Sequence, residues 1–356
     1  LVLLNGRRMA NFASPGDAAG VDLNSIPAAA IQRVEVPLDG ASSLYGSDAI
    51  GGVINFISKN SKDAGNSIGY TMGLGNQLNR YDFNLTSSLG QDTYMNIGGF
   101  MRQGDGGNIR AGFNAQDGGQ LKASITKELD GGSYLRFNFK NLDDKTPSLL
   151  PVPVKVVNGS IQTINGIDPR TAYFINPNLS RDVTIDKNGN QVASNPADGL
   201  HVTSNSIGLE AKFNLSNGWV VDEKLRKSTN GGRFMSLFPM NNGNPGGSTF
   251  NAAMFNTSLD SLDNLFNDIK ASKAFDLNGG KSVFTAGVFT GSQSVAQTWF
   301  WNQYSVGMTG SNASITGPID NGWNTWGGCC SRTFDVNYKT TAPYAALTWE
   351  KSAWTV

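Results

Sequence analysis

The sequence predicts an all-β membrane protein, a transmembrane antiparallel β-barrel, and three observations support that prediction. Of 356 residues, 43 are glycine and 10% are aromatic, whereas only 16% are charged. From about residue 65 onward, apolar and polar residues alternate, which is the period of a strand with one apolar face. Tight turns and long connections follow one another in alternation. This order is typical of an up-and-down barrel with short turns on one side of a membrane and long loops on the other.

The alternation is clearest in four segments, YDFNLTSSL, QLKASITKEL, YLRFNFK and SIGLEAKFNL. In YLRFNFK, Leu135, Phe137 and Phe139 lie on the face opposite Arg136 and Asn138. Each segment therefore has one apolar and one polar side, and we expect about eleven such strands. One segment differs, because SLDSLDNLFNDIK has apolar residues at helical spacing. It predicts a short loop helix that leads into a strand near residue 267.

The predicted connections fall into two classes. We expect the short links to be periplasmic turns and the long ones to be extracellular loops. The short links lie at 91–92, 130–132, 216–218, 278–280 and 351–353, and the long ones at about 103–119, 143–200, 230–262 and 302–338.

Composition also argues against several other classes of protein. Lys plus Arg and Asp plus Glu both number 28, so the charge balance gives no support to a nucleic-acid partner. The sequence contains no run of about 18 apolar residues, so it predicts no transmembrane helix. Cys329 and Cys330 are adjacent and His201 is the sole histidine, which argues against a zinc site, and no cofactor is expected. Three alternatives stay open for the two cysteines: they are loop residues without chemistry, they form a vicinal disulfide, or they pair with a cysteine outside this sequence.

Residues 1–64 have a different texture. LVLLNGRR predicts a strand that ends in a turn, MANFASPGDAAG a loop, and VDLNSIPAAAIQRVEV a short helical turn followed by a strand. Glycine, alanine and serine are then concentrated in DGASSLYGSDAIGGVINFISK, where small residues allow tight turns and close approach. In their order and spacing these stretches resemble the C-terminal half of the plug of a TonB-dependent outer-membrane transporter.

The resemblance implies two domains. Residues 1–64 would be the C-terminal part of a plug domain, and residues 65–356 the first part of a transmembrane barrel with long extracellular loops at about 143–200, 230–262 and 302–338. Since the chain begins at Leu1 and ends within an apparent strand, we expect it to be a fragment that is open at both ends.

The resemblance also implies a function. An extracellular ligand such as a siderophore, cobalamin, an oligosaccharide or a peptide would bind between the plug apex and the loops of a barrel embedded in outer-membrane lipid. The TonB complex would then pull on a plug segment that precedes Leu1. The alternative is a ligand-sensing receptor without a major import role. The adjacent acids Asp143–Asp144 and Asp222–Glu223 suggest an enzyme only weakly, because turn and strand-end solvation explains both pairs.

The expected ligand-binding residues come from the apical plug loop and from a long barrel loop. Asn11, Phe12 and Ser14 lie in a segment with two glycines and a proline that must project as a loop, the loop that faces the outside in the resembled family. Trp323 and Trp326 lie in a loop rich in glycine and asparagine.

Two further groups of side chains receive structural expectations. Trp299, Trp301 and Tyr304 belong either to the aromatic girdle at the membrane interface or to the base of a loop. The resemblance implies that the charges of Arg33, Glu35 and Asp39 contact the barrel wall. Asn55, within the apolar stretch GGVINFI, is expected to satisfy backbone groups.

Overall fold

The computed structural model describes residues 1–9, 28–37, 52–75, 77–105, 114–146, 148, 154–164, 178–240, 248–307, 313–321, 332–352 and 354–355. Over these residues the chain is almost entirely β-strand, with short 3-10 turns at Ala28–Ala30, Asp130–Gly132 and Pro196–Asp198. Within the same residues, no helix has the length and apolar character needed to cross a membrane.

The first four strands form a small sheet in the order β2-β1-β4-β3. They are β1 (Val2–Leu4), β2 (Arg7–Arg8), β3 (Ile31–Glu35) and β4 (Ile54–Ser58). Strands β1 and β4 are parallel, and the other two pairs are antiparallel.

Local sequence explains how this small sheet forms. Asn5 and Gly6 have φ angles of 54° and 75°, which suits the tight hairpin between β1 and β2. The Asn55 side chain accepts the Gly6 N–H at 2.9 Å, which confirms its predicted role. The predicted helical turn before β3 is also present. Val34 and Val36 alternate with Arg33 and Glu35 along the sequence, a pattern that predicts an apolar interior on the valine side. That expectation is wrong, because both valine side chains are about half-exposed.

The remaining strands form one long sheet and two small hairpins. In the long sheet the strands pair antiparallel and follow chain order, except that β17 and β19 share their positions with other strands. Strands β5 to β9 are Ser67–Gly73, Leu78–Gly90, Thr93–Gly104, Gln116–Glu128 and Tyr134–Thr146; the hairpins β10–β11 and β12–β13 are Lys155–Val157, Ser160–Gln162, Asp182–Ile185 and Gln191–Ser194; and β14 to β21 are Leu200–Asn214, Trp219–Pro239, Thr249–Ser261, Asn264–Leu277, Gly280–Gly307, Ile315–Asn321, Arg332–Lys351 and Trp354–Thr355.

Strands β16 and β17 occupy one position in the sheet. Both pair with β15 on one side and with β18 on the other, and a register shift near Ser261 marks the junction. Across the described residues, the sheet therefore has eleven side-by-side positions. The prediction of a loop helix around residues 259–269 is wrong. The backbone N–H and C=O groups of this segment pair with two neighbouring strands, and this tertiary pairing overrides the helical spacing of its apolar residues. The N–H of Leu262, for example, donates to the Asn230 carbonyl at 2.8 Å.

The predicted short links are all present, and they share one end of the sheet. At the other end, the strands extend further than the sequence predicts. Strands β15 and β16 fill most of 230–262, while β18 and β20 extend into both ends of 302–338. Strand β18 has 28 residues, against the 9–11 or so that span a bilayer, so it projects beyond the membrane.

The long sheet has polar residues buried and apolar residues exposed. On β8, Lys122, Ser124 and Thr126 are at most 8% exposed, whereas Leu121 and Ile125 are 42% and 44% exposed. A water-soluble sheet would bury the opposite face. This polarity is that of a barrel wall with lipid outside and a polar lumen inside.

Candidate functional site

The β1–β2 hairpin contacts the polar face of the long sheet through one ion pair. The Arg7 Nη1 atom lies 3.1 Å from Glu210 Oε1, and the two side chains are only 6% and 5% exposed. Arg7 Nη2 also donates to the Leu209 carbonyl at 3.1 Å. Burial lowers the pKa of the Arg7 guanidinium, and the nearby Glu210 carboxylate opposes that shift. Arg7 is therefore a desolvated cation that depends on Glu210.

The Glu210 carboxylate is shared between the hairpin and the sheet. Its second oxygen, Oε2, lies 3.1 Å from Nη1 of Arg136 on β9. Arg136, Glu210, Lys224 and Asp268 face one another across neighbouring strands, so positive and negative charges alternate along this row. Opposite charges on directly paired residues stabilise a sheet. The row holds Glu210 in place for Arg7.

A glycine leaves room for the Arg7 side chain. Gly208 lies two residues before Glu210 and faces the same side of β14. A Cβ atom at Gly208 would lie 3.4 Å from Arg7 Nη1 and 3.1 Å from the Leu225 carbonyl oxygen. The second distance is tighter than most real contacts, so a larger residue would displace its neighbours. The glycine thus permits the close approach of the hairpin.

Two further cations of β15 bind the backbone of the hairpin. Lys224 Nζ donates to the Asn5 carbonyl at 2.9 Å. The Arg226 guanidinium donates to the carbonyl oxygen of Arg8. The hairpin is therefore seated by one ion pair and by charged donors to its carbonyl groups.

The segment that leaves the small sheet is held separately, at Asn60. Its backbone oxygen accepts from Arg136 Nη2 at 2.9 Å and from the Tyr94 hydroxyl at 3.3 Å. Its side-chain oxygen accepts from Lys122 and Ser124 at 3.4 and 3.3 Å. Three strands of the long sheet thus fix the point where the chain passes from one sheet to the other.

Arg33 and Glu35, which are expected to contact the barrel wall, pair within the small sheet. Arg33 Nη2 and Glu35 Oε1 pair with each other at 2.7 Å, and Asn55 Nδ2 donates to the other Glu35 oxygen at 3.0 Å. Both charges line the same cavity as Arg136, between the two sheets. A direct contact of Arg33 or Glu35 with the wall stays a prediction, and Asp39 lies outside the described residues.

The predicted ligand residues Asn11, Phe12 and Ser14, like Trp323 and Trp326, also lie outside the described residues. The structure does place the aromatic residues of β18. Trp299 and Trp301 share the face of Phe289, whose ring lies beneath Arg8 with the guanidinium carbon 5.6 Å from its centroid. They are thus on the lumen side of the sheet, at the end with the long connections, and not in a lipid-facing girdle.

These tryptophans form a half-buried aromatic cluster. Phe255 and Trp299 stack with ring centroids 6.1 Å apart, and Trp299 and Trp301 stack at 5.9 Å. The Arg332 guanidinium carbon lies 4.3 Å from the Trp299 centroid. Tyr304 belongs to the opposite face, where its hydroxyl donates to the buried Asp182 carboxylate at 2.6 Å. The cluster offers aromatic faces and a guanidinium at the end of the sheet with the long connections.

The expected solvation of the Asp143–Asp144 pair is wrong for the second residue. The Asp144 and Arg102 side chains are only 2% and 7% exposed, and they form a two-contact ion pair. Asp143 lies 2.7 Å from Nε2 of His201. Within the described part of the chain, no group of three or more His, Cys, Asp or Glu residues could hold a metal ion.

Sequence reasoning missed Arg7, Glu210 and Asn60. A signal for the first pair was present: Arg7 follows a buried strand and an Asn-Gly turn, and Glu210 is the sole acid in SIGLEAKFNL. A charge in either place needs a partner. For Asn60 we find no comparable signal in the sequence.

Comparison with known proteins agrees with this architecture. Residues 1–53 match the family model described as TonB-dependent Receptor Plug Domain, which confirms the resemblance of this region. The vitamin B12 transporter BtuB of Vibrio cholerae is 36% identical over 121 residues, which cover 33% of this chain and 19% of BtuB.

Two solved structures share the fold over nearly the whole chain. The siderophore receptor PiuA from Acinetobacter baumannii superposes with a TM-score of 0.58 at 15% identity, covering 98% of this chain and 48% of PiuA. The ferripyoverdine receptor of the outer membrane of Pseudomonas aeruginosa gives 0.62 at 13% identity, covering 98% of this chain and 43% of the receptor. The chain thus spans less than half the length of each receptor. Residues 1–53 thus resemble the plug of a TonB-dependent receptor, and the described strands share the fold of these two solved receptors.

Proposed function

We propose that this receptor binds a nutrient ligand on its extracellular side and imports it across the bacterial outer membrane. The observation that carries the proposal is how the plug hairpin is seated. The Arg7–Glu210 pair and the donors from Lys224 and Arg226 hold it, and all of these contacts are polar. Polar contacts can be exchanged for water when the hairpin moves, so the plug can leave the wall without exposing an apolar core.

Energy for that movement would come from the TonB complex, acting on a plug segment N-terminal to these residues. The Glu210 carboxylate, which Arg7 and Arg136 share, suits repeated release and return of the hairpin. When Arg7 leaves, Arg136 still neutralises Glu210, so the wall is not left with an isolated buried charge. Outer-membrane lipid would contact the exposed apolar face of the long sheet.

The ligand class is proposed from the relatives and from the aromatic cluster. BtuB is a vitamin B12 transporter, and the two structural neighbours are receptors for siderophores. Cobalamin and ferric siderophores are therefore the first ligands to test, and oligosaccharides and peptides the next. Phe255, Trp299 and Trp301 would stack on ring systems of the ligand, together with Phe12 of the apical plug loop.

Uptake by cells that express the full-length receptor tests the proposal. Cells without their own receptors are given radiolabelled cyanocobalamin or ferric siderophores, and accumulation is compared with and without TonB. Import predicts accumulation of one ligand class in TonB-containing cells only. Surface binding without accumulation in either strain would contradict import and favour the sensing receptor.

A further inference from the structure

A second row of lumen-facing residues carries unbalanced charge. Lys122 on β8 and Lys140 on β9 are directly paired in the register, and Ser206 and Ser228 continue the row on β14 and β15. Asn264 on β17 and Gln293 on β18 continue it. No acid belongs to this row. Like charges on directly opposite residues destabilise a sheet, so the Lys122–Lys140 pair needs an explanation.

The neighbouring charged row shows how this wall normally handles its charges. Four residues away on the same strands, Arg136, Glu210, Lys224 and Asp268 alternate in sign. Every cation in that row has an acid directly beside it. The two lysines therefore stand out against a balanced pattern in the same wall.

A cavity lies between the lysine row and the plug hairpin. Its charged lining residues are Arg7, Lys122, Lys140 and Arg226, and no Asp or Glu lines it within the described part of the chain. Lys122 donates only to a neutral oxygen, Oδ1 of Asn60. Within that same part, the Lys140 ammonium has no hydrogen bond or ion pair, and the buried Nε atoms of Arg7 and Arg226 have no acceptor.

We propose that this cavity binds one small oxyanion of the phosphate or carboxylate type. The Lys140 ammonium and the Arg226 guanidinium would donate charge-assisted hydrogen bonds to it, and the Ser206 and Ser228 hydroxyls are placed to add neutral ones. The anion would offset the positive charges of Lys122, Lys140 and Arg226 that line the cavity. The cavity offers about 70 Å³ to water, several times the 10–15 Å³ or so that one water molecule needs. The site is independent of which ligand the receptor imports.

Calorimetric titration of the purified full-length receptor tests this site, with inorganic phosphate as the probe in a non-ionic detergent. Ionic strength is held constant with chloride. The wild type is expected to bind one phosphate saturably, and Lys140→Gln is expected to weaken the affinity at least tenfold. Lys281→Gln, which removes an exposed lysine, should bind like the wild type. A parallel titration with acetate shows whether a carboxylate suffices. Absence of saturable binding of both anions by the wild type, or equal binding by Lys140→Gln, overturns the proposal.

A charge reversal keeps the test decisive if the neutral variant is less stable. Lys140→Glu places an internal carboxylate beside Lys122 and Arg226, in the position that the anion would neutralise. In phosphate-free buffer its midpoint of thermal unfolding should exceed that of Lys140→Gln, and it should no longer respond to phosphate. A lower midpoint than that of Lys140→Gln would show that the cavity does not favour an anion.

Discussion

The Arg7 guanidinium on the plug and the Glu210 carboxylate on the barrel wall lie 3.1 Å apart, and both are almost completely buried. Breaking a buried pair by removing one partner typically destabilises by about 3–5 kcal/mol, because the remaining charge is left in a desolvated site. This one contact should therefore dominate the seating of the hairpin.

Glu210→Gln should release the hairpin. The uncharged amide leaves both Arg7 and Arg136 without a carboxylate, so hydrogen exchange of residues 1–9 in the full-length receptor should rise at least a hundredfold, given about 1.4 kcal/mol per decade. The matched control is Glu128→Gln. Its pair with Lys62 also joins the segment that leaves the small sheet to the wall but is exposed, so exchange should change by less than about tenfold. Equal effects of the two variants would contradict a special role for Glu210.

Gly208→Ala should weaken the same seat by crowding. The added methyl group meets the Leu225 carbonyl and Arg7, and overpacking of this kind typically costs about 1–3 kcal/mol. The expected result is faster exchange in the hairpin and a lower midpoint of thermal unfolding. Gly69→Ala is the control, because its new Cβ would have no neighbour nearer than 3.9 Å. If the midpoint of thermal unfolding falls no further for Gly208→Ala than for Gly69→Ala, the wall accommodates a methyl group at position 208 without crowding.

Trp299→Ala should weaken ligand binding without lowering the amount of receptor at the surface. Loss of a stacked ring typically costs about 1–3 kcal/mol, which is roughly ten- to a hundredfold in affinity. The control is Trp219→Ala, which removes a tryptophan that packs edge-on against Phe284 at the other end of the sheet. Binding of the ligand identified by uptake is measured on whole cells. Unchanged affinity at normal abundance would remove the aromatic cluster from the site.

An epitope inserted at Asn188 tests the orientation of the barrel. Asn188 lies in the turn between β12 and β13, within the long connection that follows β9, and the Asp186 carboxylate accepts its N–H at 2.8 Å. Antibody should label this epitope on intact cells that express the full-length receptor. An epitope in the tight turn at Asp130–Gly132 should be labelled only after permeabilisation. The reverse pattern would invert the topology.

The strands and their tight turns could be predicted because each depends on local signals. The alternation in SIGLEAKFNL and the turn at Asn278–Gly279 specify a strand and a hairpin without reference to the rest of the chain. The helical spacing around Leu262 misled the prediction for the opposite reason: pairing with two neighbouring strands decided its conformation.

The site was harder to predict because its contacts depend on register. Glu210 meets Arg136 through strand pairing, and it meets Arg7 only after the plug hairpin enters the lumen. Its place as the sole acid in SIGLEAKFNL signals that it needs a partner but does not say which cation it meets. The same holds for Lys122 and Lys140, whose opposition appears only once β8 and β9 are aligned.

The plug hairpin sits on the barrel wall and, under the proposed function, must leave it during import. The most direct test tethers the two. Arg8→Cys and Phe289→Cys replace two side chains that pack against each other, with the Arg8 guanidinium carbon 5.6 Å from the Phe289 ring centroid. Both changes are made in a full-length receptor whose Cys329 and Cys330 are replaced by serine. A short bismaleimide then joins them, and uptake of the labelled ligand is measured before and after. If the hairpin must leave the wall, the cross-linked receptor will still bind ligand but no longer accumulate it, while the untreated double variant imports. Import at an undiminished rate by the cross-linked receptor would show that the hairpin can stay on the wall.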